Sequence, residues 1–193
     1  MKIKIFSVIF AILILITALT PSIKSSESIA EKVFRLHIIA NSNSIEDQRL
    51  KLNVRNDILK NTSYLFRSVN DKEEAIKTAQ RNITLIRSIA QKTVIKNGYN
   101  YKVNVFVDNE FFNTRKYENF ILPAGKYDCL KIVIGEGKGH NFWCVLYPSV
   151  CVNSCSDEIE DVLNEEEIKL IKSKKYIIKF KAIEIYEKIK SKL

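Results

Sequence analysis

The residue types that could carry chemistry are few in this sequence. His37 and His140 are its only two histidines, so a general base, a hydrolase triad or a metalloenzyme would have to use at least one of them. Ser42 and Ser44 follow His37 closely, but proximity in sequence does not give a serine nucleophile its geometry. Neither a G-x-S-x-G nor an H-E-x-x-H motif is present. A histidine in a strand is more often a hydrogen-bonded structural side chain. We therefore predict no catalytic residue and no cofactor.

Four cysteines lie in the last third of the chain: Cys129, Cys144, Cys151 and Cys155. Four cysteines allow three pairings, and the sequence alone does not choose between them. The C-x6-C-x3-C spacing lacks the paired short-spaced knuckles of a structural zinc site, and only His140 lies near, so we predict no metal. The segment between Cys144 and Cys151 contains Pro148 and could close a small ring. These two cysteines are our preferred disulfide.

A glycine-rich loop, Gly135-Glu136-Gly137-Lys138-Gly139-His140-Asn141, follows a predicted strand. Such loops can cradle phosphate, but a P-loop and a dinucleotide-binding loop both run into a helix. Here the next residues are Phe-Trp-Cys-Val-Leu, which predict another strand. The glycines are therefore expected to permit positive φ in a tight connection that places Lys138, His140 and Trp143 at an exposed edge. An interaction loop and a purely structural bend both remain open.

Composition narrows the class of protein. Of the 193 residues, 46% are apolar and 27% charged, with 5 Gly and 3 Pro, which fits one globular domain and excludes collagen-like or wholly disordered chains. The net charge is +9 and is spread along the chain, which indicates a solvated lysine-rich surface. We predict no nucleic-acid partner and no small-molecule substrate, whereas attraction to an anionic membrane surface remains open.

The N-terminus has the pattern of an export signal. Lys2 and Lys4 precede an apolar run from Ile5 to Leu19, which Pro21 and a serine-rich stretch follow. The run is short for a membrane-spanning helix, which needs about 20 residues. The candidate cleavage sites match the small-x-small rule poorly, so both a cleaved signal peptide and an uncleaved signal anchor remain open. We predict a signal segment over residues 1–24 and a single extracytoplasmic domain over residues 25–193, secreted or membrane-anchored.

The first elements of the body are a strand and two helices. Residues 33–40 predict a strand that carries Arg35 and His37 on one face and is apolar on the other. Residues 41–44 predict a turn that ends at Ser44, which caps a helix with Asp47 in its first turn. A second capping pattern at Asp71 begins a helical period that runs unbroken until Asn97-Gly98, which supplies the C-terminal stop.

From Tyr99 onward, the spacing of apolar residues changes from the helical period to the alternation that is typical of strands. Alternation predicts strands over residues 101–107, 112–114, 127–134 and 142–147, with a turn at Asp108-Asn109. A short helix capped by Asn164 follows, and residues 176–193 are predicted to open as a strand and end as a helix. The fold class is thus α+β: a single domain with an N-terminal strand and two long helices, then a mostly antiparallel sheet and a C-terminal helix.

Several motifs resemble one known family. The run Phe34-Arg35-Leu36-His37-Ile38-Ile39-Ala40-Asn41-Ser42-Asn43-Ser44, with Glu46-Asp47-Gln48 and Lys51-Leu52-x-Val54-Arg55, is similar to the opening motif of stage II sporulation protein R. Phe112 to Tyr117, Leu122 to Tyr127 and Gly135 to Pro148 resemble later patterns of that family in the same order. Cys129 and Cys155 look like additions to the Cys144/Cys151 pair. The resemblance spans nearly the whole body of the chain.

The resemblance implies a sporulation signalling protein without catalytic residues. Such a protein is made in the forespore and exported to the space between the forespore and mother-cell membranes. Its implied partner is a membrane-embedded aspartic protease, which then cleaves the precursor of the mother-cell sigma-E factor. The residues expected to contact that partner lie at the strand end and in the glycine-rich loop, namely Arg35, His37, Asn41, Lys138, His140 and Trp143, because they include Arg and Trp, which are enriched at interface hot spots.

The alternative is an exported hydrolase or thiol-dependent enzyme. It would use His37 or His140 together with a cysteine. This hypothesis predicts that blocking free thiols or replacing His140 abolishes activity in an otherwise native fold, whereas the signalling hypothesis predicts neither effect.

Overall fold

A computed structural model describes residues 2–117, 119–148, 159, 161–172 and 177–190. In these ranges the helices are α1 (Lys2–Lys32), α2 (Ile45–Phe66), α3 (Lys72–Arg81), α4 (Ile83–Lys96), α5 (Glu165–Lys172) and α6 (Ile177–Lys190). The strands are β1 (Phe34–Ile39), β2 (Val103–Phe112), β3 (Arg115–Lys116), β4 (Ile121–Leu122), β5 (Gly125–Ile134) and β6 (Asn141–Tyr147). This mixture of helices and sheet confirms the α+β class.

The main sheet has four strands in the order β2-β5-β1-β6. Strand β1 lies inside the sheet, parallel to β5 and antiparallel to β6. Gly135 N bonds Lys102 O at one end of β5, and the side chains of Asn109 and Asp128 bond at the other, so β2 runs antiparallel to β5. Strands β3 and β4 form a separate antiparallel pair. The prediction of a mostly antiparallel sheet is confirmed, with one parallel pairing at its centre.

One face of the main sheet packs against helices α2, α3 and α4. Alternation along β1 puts Phe34, Leu36 and Ile38 on this face, all without exposed surface. They form one core with the apolar stripes of the helices, which include Leu50, Val54, Ile58, Ile86, Ala90 and Val94. Burial of each large apolar side chain stabilises the fold by about 1.5–3 kcal/mol. The same alternation directs Arg35 and His37 to the opposite face.

Both predicted helix caps are present, but the second long helix is interrupted. Ser44 Oγ accepts a hydrogen bond from Asp47 N, and Asp71 accepts one from Glu74 N. The prediction of one unbroken helix from Asp71 is wrong, because α3 ends and α4 begins at Asn82. The Asn82 side chain donates to Thr78 O at 2.8 Å, and its backbone leaves helical geometry at φ −105° and ψ 11°. Such side-chain bonds compete with the helical ladder.

Two further elements differ from the sequence prediction. The turn expected at Asp108-Asn109 is absent, since β2 continues to Phe112. The C-terminal segment is helical from Ile177, so the predicted strand opening is wrong for the described residues, and Tyr176 lies outside them. Phe180 and Ile183 are buried three residues apart, which is the helical spacing.

The chain forms two compact units. The first comprises Met1–Ala30, Phe111–Gly125 and Leu163–Leu193, and the second comprises Glu31–Glu110 and Lys126–Val162. Within the first unit, Ser26 Oγ donates to Ala124 O at 3.3 Å, and Lys190 pairs with Glu27 at 2.5 Å. None of the helices, as far as their residues are described, has both the length and the apolarity needed to cross a membrane. The domain boundary at residue 24 stays a prediction.

Candidate functional site

Polar side chains from three neighbouring strands meet on the sheet face opposite α2, α3 and α4. We call this group the polar row, and its members are His37 on β1, Asp108 and Glu110 on β2, and Cys129 and Lys131 on β5. Side chains of alternate strand residues point to the same face, and β5 lies between β1 and β2. The row therefore crosses the sheet at right angles to its strands.

The central interaction of the polar row joins His37 to Glu110. The His37 Nδ1 donates to Glu110 Oε2 at 2.6 Å, although their strands are separated by β5. Neighbouring strands lie about 4.8 Å apart, so the two side chains together span about twice that distance. They meet beside the small side chain of Cys129, whose Sγ lies 3.7 Å from the same carboxylate oxygen. A bulky residue at position 129 would occupy this space.

Lys131 balances the charge of Glu110. Its Nζ contacts Glu110 Oε1 and lies 3.5 Å from Asp108 Oδ2. Burial raises the pKa of the Glu110 carboxyl, but the hydrogen bonds from Lys131 and His37 act in the opposite direction and hold its pKa below the ordinary value. Burial lowers the pKa of Lys131, and Glu110 and Asp108 outweigh that effect and raise it. Both partners are therefore charged at neutral pH.

Cys129 is a buried free thiol. Burial is the main cause that raises its pKa far above the ordinary value, and the negative charge of Glu110 adds to the shift. Reactive cysteines have the opposite environment, with a lowered pKa and an exposed sulfur. The thiol-dependent alternative requires a histidine beside a cysteine, and His37 does lie close to Cys129. However, the Cys129 thiol is protonated and buried away from solvent.

Arg35 and Trp143 flank the polar row. The Arg35 guanidinium has no exposed surface and lies 4.9 Å from the centre of the Tyr127 ring. The half-buried Trp143 ring is 5.7 Å from the His37 ring, at an interplanar angle of 40°. Packing is therefore the role that the structure gives Arg35, and partner binding by the predicted set of residues stays a prediction.

The glycine-rich loop is held by the segment that follows β1. The Asn41 side-chain oxygen accepts from Glu136 N at 3.0 Å, and the Asn43 side chain accepts from His140 N at 2.7 Å. Between them, Lys138 N donates to Asn41 O. We call this arrangement the loop clamp, formed by residues 40–51 and 135–141. Asn41, predicted as a contact residue, is here a structural link between the two segments.

Asp47 and Lys51 secure the loop clamp from the first turns of α2. Asp47 Oδ2 accepts from Ser42 Oγ at 2.6 Å and from Asn41 Nδ2 at 2.8 Å. Lys51 Nζ donates to His140 O at 2.9 Å. Burial raises the pKa of Asp47, but its hydrogen bonds outweigh this effect and lower it. The capping pattern identified Asp47 in the sequence, whereas nothing in the pattern indicated that it also orders Asn41 and Ser42.

The loop clamp leaves two of the predicted contact residues exposed. Lys138 and His140 are exposed, and Lys138 pairs with Glu136 at 2.7 Å in a solvated ion pair. Such a pair contributes little to stability, so these side chains remain available to a partner. Of the six predicted residues, His37 and Trp143 touch each other in the sheet, Arg35 is interior, and Asn41 holds the loop.

Comparison with known proteins identifies the family. The profile of the family described as Stage II sporulation protein R matches residues 30–157. The chain belongs to the stage II sporulation protein R family. Stage II sporulation protein R of Bacillus subtilis (strain 168) is 37% identical over 123 residues, which cover 64% of this chain and 55% of that protein. The chain thus spans about half the length of this curated relative. No solved structure matches the chain significantly.

The family match includes both the polar row and the loop clamp. It also includes Cys144, Cys151 and Cys155, of which the last two lie outside the described residues. The pairing of Cys144 with Cys151 therefore stays a prediction for this member of the stage II sporulation protein R family.

Replacing Asp47 with Asn should destabilise the protein in a pH-dependent way. We expect a loss of about 1–3 kcal/mol at pH 7, because charge-assisted hydrogen bonds from Ser42 and Asn41 are weakened. A carboxyl whose pKa is lowered by folding stabilises the protein above its unfolded pKa, near 3.9, and this contribution is lost as the pH falls through the folded value. The difference between wild type and Asp47→Asn in urea unfolding should therefore shrink at acidic pH.

The matched control for Asp47→Asn is Glu46→Gln, which changes an exposed acid in the same helical turn. It should alter the free energy of unfolding by less than about 0.5 kcal/mol. An Asp47→Asn difference that is constant over the whole pH range would contradict the assigned role of the carboxylate.

Gly139→Ala should open the loop clamp. A Cβ at this position would lie 2.1 Å from the backbone oxygen of Ser42, so the two segments must separate. We expect a loss of about 1–3 kcal/mol and faster amide hydrogen exchange at Lys138, Gly139 and His140. Gly98→Ala is the control, since its cost comes only from a φ of +83° in open space. If the loop amides stay protected in Gly139→Ala, the clamp does not depend on this close approach.

Proposed function

We propose that this protein is an exported sporulation signal that activates a membrane-embedded aspartic protease, which then processes the mother-cell sigma-E precursor. Membership of the stage II sporulation protein R family, over residues 30–157, is the observation that carries the proposal. The basic and apolar N-terminal segment supports export to the space between the two membranes.

The loop clamp is the surface that we assign to the protease. Residues 40–43 accept hydrogen bonds from the backbone amides of the glycine-rich loop and so fix its backbone, which means that little conformational freedom is lost when a partner binds. Lys138 and His140 extend from this ordered backbone into solvent. A rigid loop with exposed polar side chains suits recognition of another protein.

We further propose that the protein acts without enzymatic activity of its own. The His37, Glu110 and Cys129 cluster has the residue types of a thiol-dependent site, but the fully buried Cys129 has a raised pKa. A thiol that stays protonated is a poor nucleophile. The net charge of +9 would favour residence near an anionic membrane surface, where the protease is embedded.

Cleavage of the sigma-E precursor in a non-sporulating bacterial host tests the proposed function. The host expresses the cognate membrane protease together with the full-length chain, a version lacking residues 1–24, or neither. We expect cleavage only with the full-length, exported form, because the signal must reach the extracytoplasmic side. Absence of cleavage despite confirmed secretion and a functional protease would contradict the proposal.

Replacing Lys138 and His140 together with alanine should weaken activation in the same assay. Both side chains are exposed, so we expect the free energy of unfolding to change by less than about 0.5 kcal/mol while precursor cleavage falls several-fold. Lys92→Ala is the control because Lys92 is an exposed lysine on α4. Full cleavage with the double variant would assign the partner surface to another part of the chain.

A further inference from the structure

We propose that His37, Glu110 and Cys129 form a binding site for a thiophilic divalent cation such as Zn²⁺. The inference is independent of the proposed signalling role. The ligand atoms, one from each side chain, all lie within 4.8 Å of one another. Imidazole nitrogen, carboxylate oxygen and thiolate sulfur are the three donor types that zinc uses in proteins.

One of the three separations between the donor atoms is already that of a tetrahedral zinc, and the donor atoms of His37 and Cys129 lie within 4.8 Å of each other. Bond lengths of 2.0–2.3 Å place neighbouring ligand atoms about 3.3–3.7 Å apart. The distance of 3.7 Å between Cys129 Sγ and Glu110 Oε2 already satisfies this requirement. His37 Nδ1 and Glu110 Oε2, now hydrogen-bonded at 2.6 Å, would have to separate by less than about 1 Å. Three protein ligands leave the fourth position to a water molecule.

The sheet holds the three ligands in fixed relative positions. They come from β1, β2 and β5, which are adjacent strands of one sheet. Residues Arg35 and His37 of β1 are paired with Cys129 and Lys131 of β5, so His37 lies diagonally across from Cys129. Ligands on hydrogen-bonded strands need little reordering, which favours a site over a chance meeting of flexible side chains.

The surrounding charges suit a dication. Glu110 and an ionised Cys129 would together carry two negative charges, which one Zn²⁺ neutralises, and coordination itself deprotonates the thiol. Lys131 is the cation that competes for Glu110, but it contacts Oε1 and leaves Oε2 to the metal. Its Nζ also lies 3.5 Å from Asp108 Oδ2, so a second carboxylate balances the ammonium.

Burial shields the site while leaving an entrance. Cys129 has no exposed surface and His37 is 7% exposed, whereas the Glu110 side chain keeps 22% of its exposure. A metal ion would thus enter past the carboxylate and then be removed from bulk water. Trp143, the only tryptophan of the chain, lies 5.7 Å from the His37 ring and reports on the site.

Metal titration of the purified full-length chain tests this site. Co²⁺ is the probe for fluorescence, because a paramagnetic ion near His37 should quench Trp143, and Zn²⁺ affinity is measured by competition with a chelator. We expect one ion to bind and to quench Trp143. Cys129→Ser and His37→Gln should each weaken binding at least about tenfold. His140→Gln, which changes the other histidine of the chain, should leave binding unchanged.

Loss of quenching in both ligand variants but not in His140→Gln supports the site. If His37→Gln fails to fold, Cys129→Ser decides alone, because serine is nearly isosteric with cysteine and binds zinc poorly. Absence of stoichiometric binding to the folded wild type would show that the cluster is an ion-pair network only. Binding that survives Cys129→Ser would place the metal elsewhere. Either result, no stoichiometric binding or binding that survives this substitution, would overturn the proposal.

Discussion

The structure depends on a central strand, β1, that is buried on both faces. Its Phe34, Leu36 and Ile38 complete the core with α2, α3 and α4, while Arg35 and His37 are buried on the opposite face. A buried polar side chain must find partners inside the protein, because removal from water without compensation costs several kcal/mol. His37 finds a partner in Glu110 of β2, and the Arg35 guanidinium lies over the ring of Tyr127 on β5.

The need to pair polar groups within the protein also explains the polar row and the loop clamp. In the polar row, Glu110 is shared by the buried His37 and the partly buried Lys131. In the loop clamp, Asn41 and Asn43 accept hydrogen bonds from amides of the glycine-rich loop, and Asp47 in turn accepts one from Asn41. Each arrangement exchanges hydrogen bonds with water for bonds within the protein, and each fixes a backbone segment in one conformation.

This rigidity is relevant to the proposed role, in which the protein acts by contact with a protease. A surface whose backbone is already ordered loses less entropy on binding than a flexible loop does. In that proposal, the ordered backbone of the loop clamp is the feature that would limit the loss of entropy on binding. The Cys129 thiol in the polar row has no part in such a contact, because it is buried and a partner protein could not reach it.

The sequence by itself determined the local elements: the alternation that divides the two faces of β1, the caps at Ser44 and Asp71, and the strands at β5 and β6. Tertiary structure decided the rest. Glu110 meets His37 across 73 positions of sequence and an intervening strand, which no period of 2 or 3.6 residues encodes. The interior position of Arg35 and the structural role of Asn41 depend on which strands become neighbours. Periodicity predicts the face of a side chain, whereas the partner on that face is set by sheet order and long-range packing.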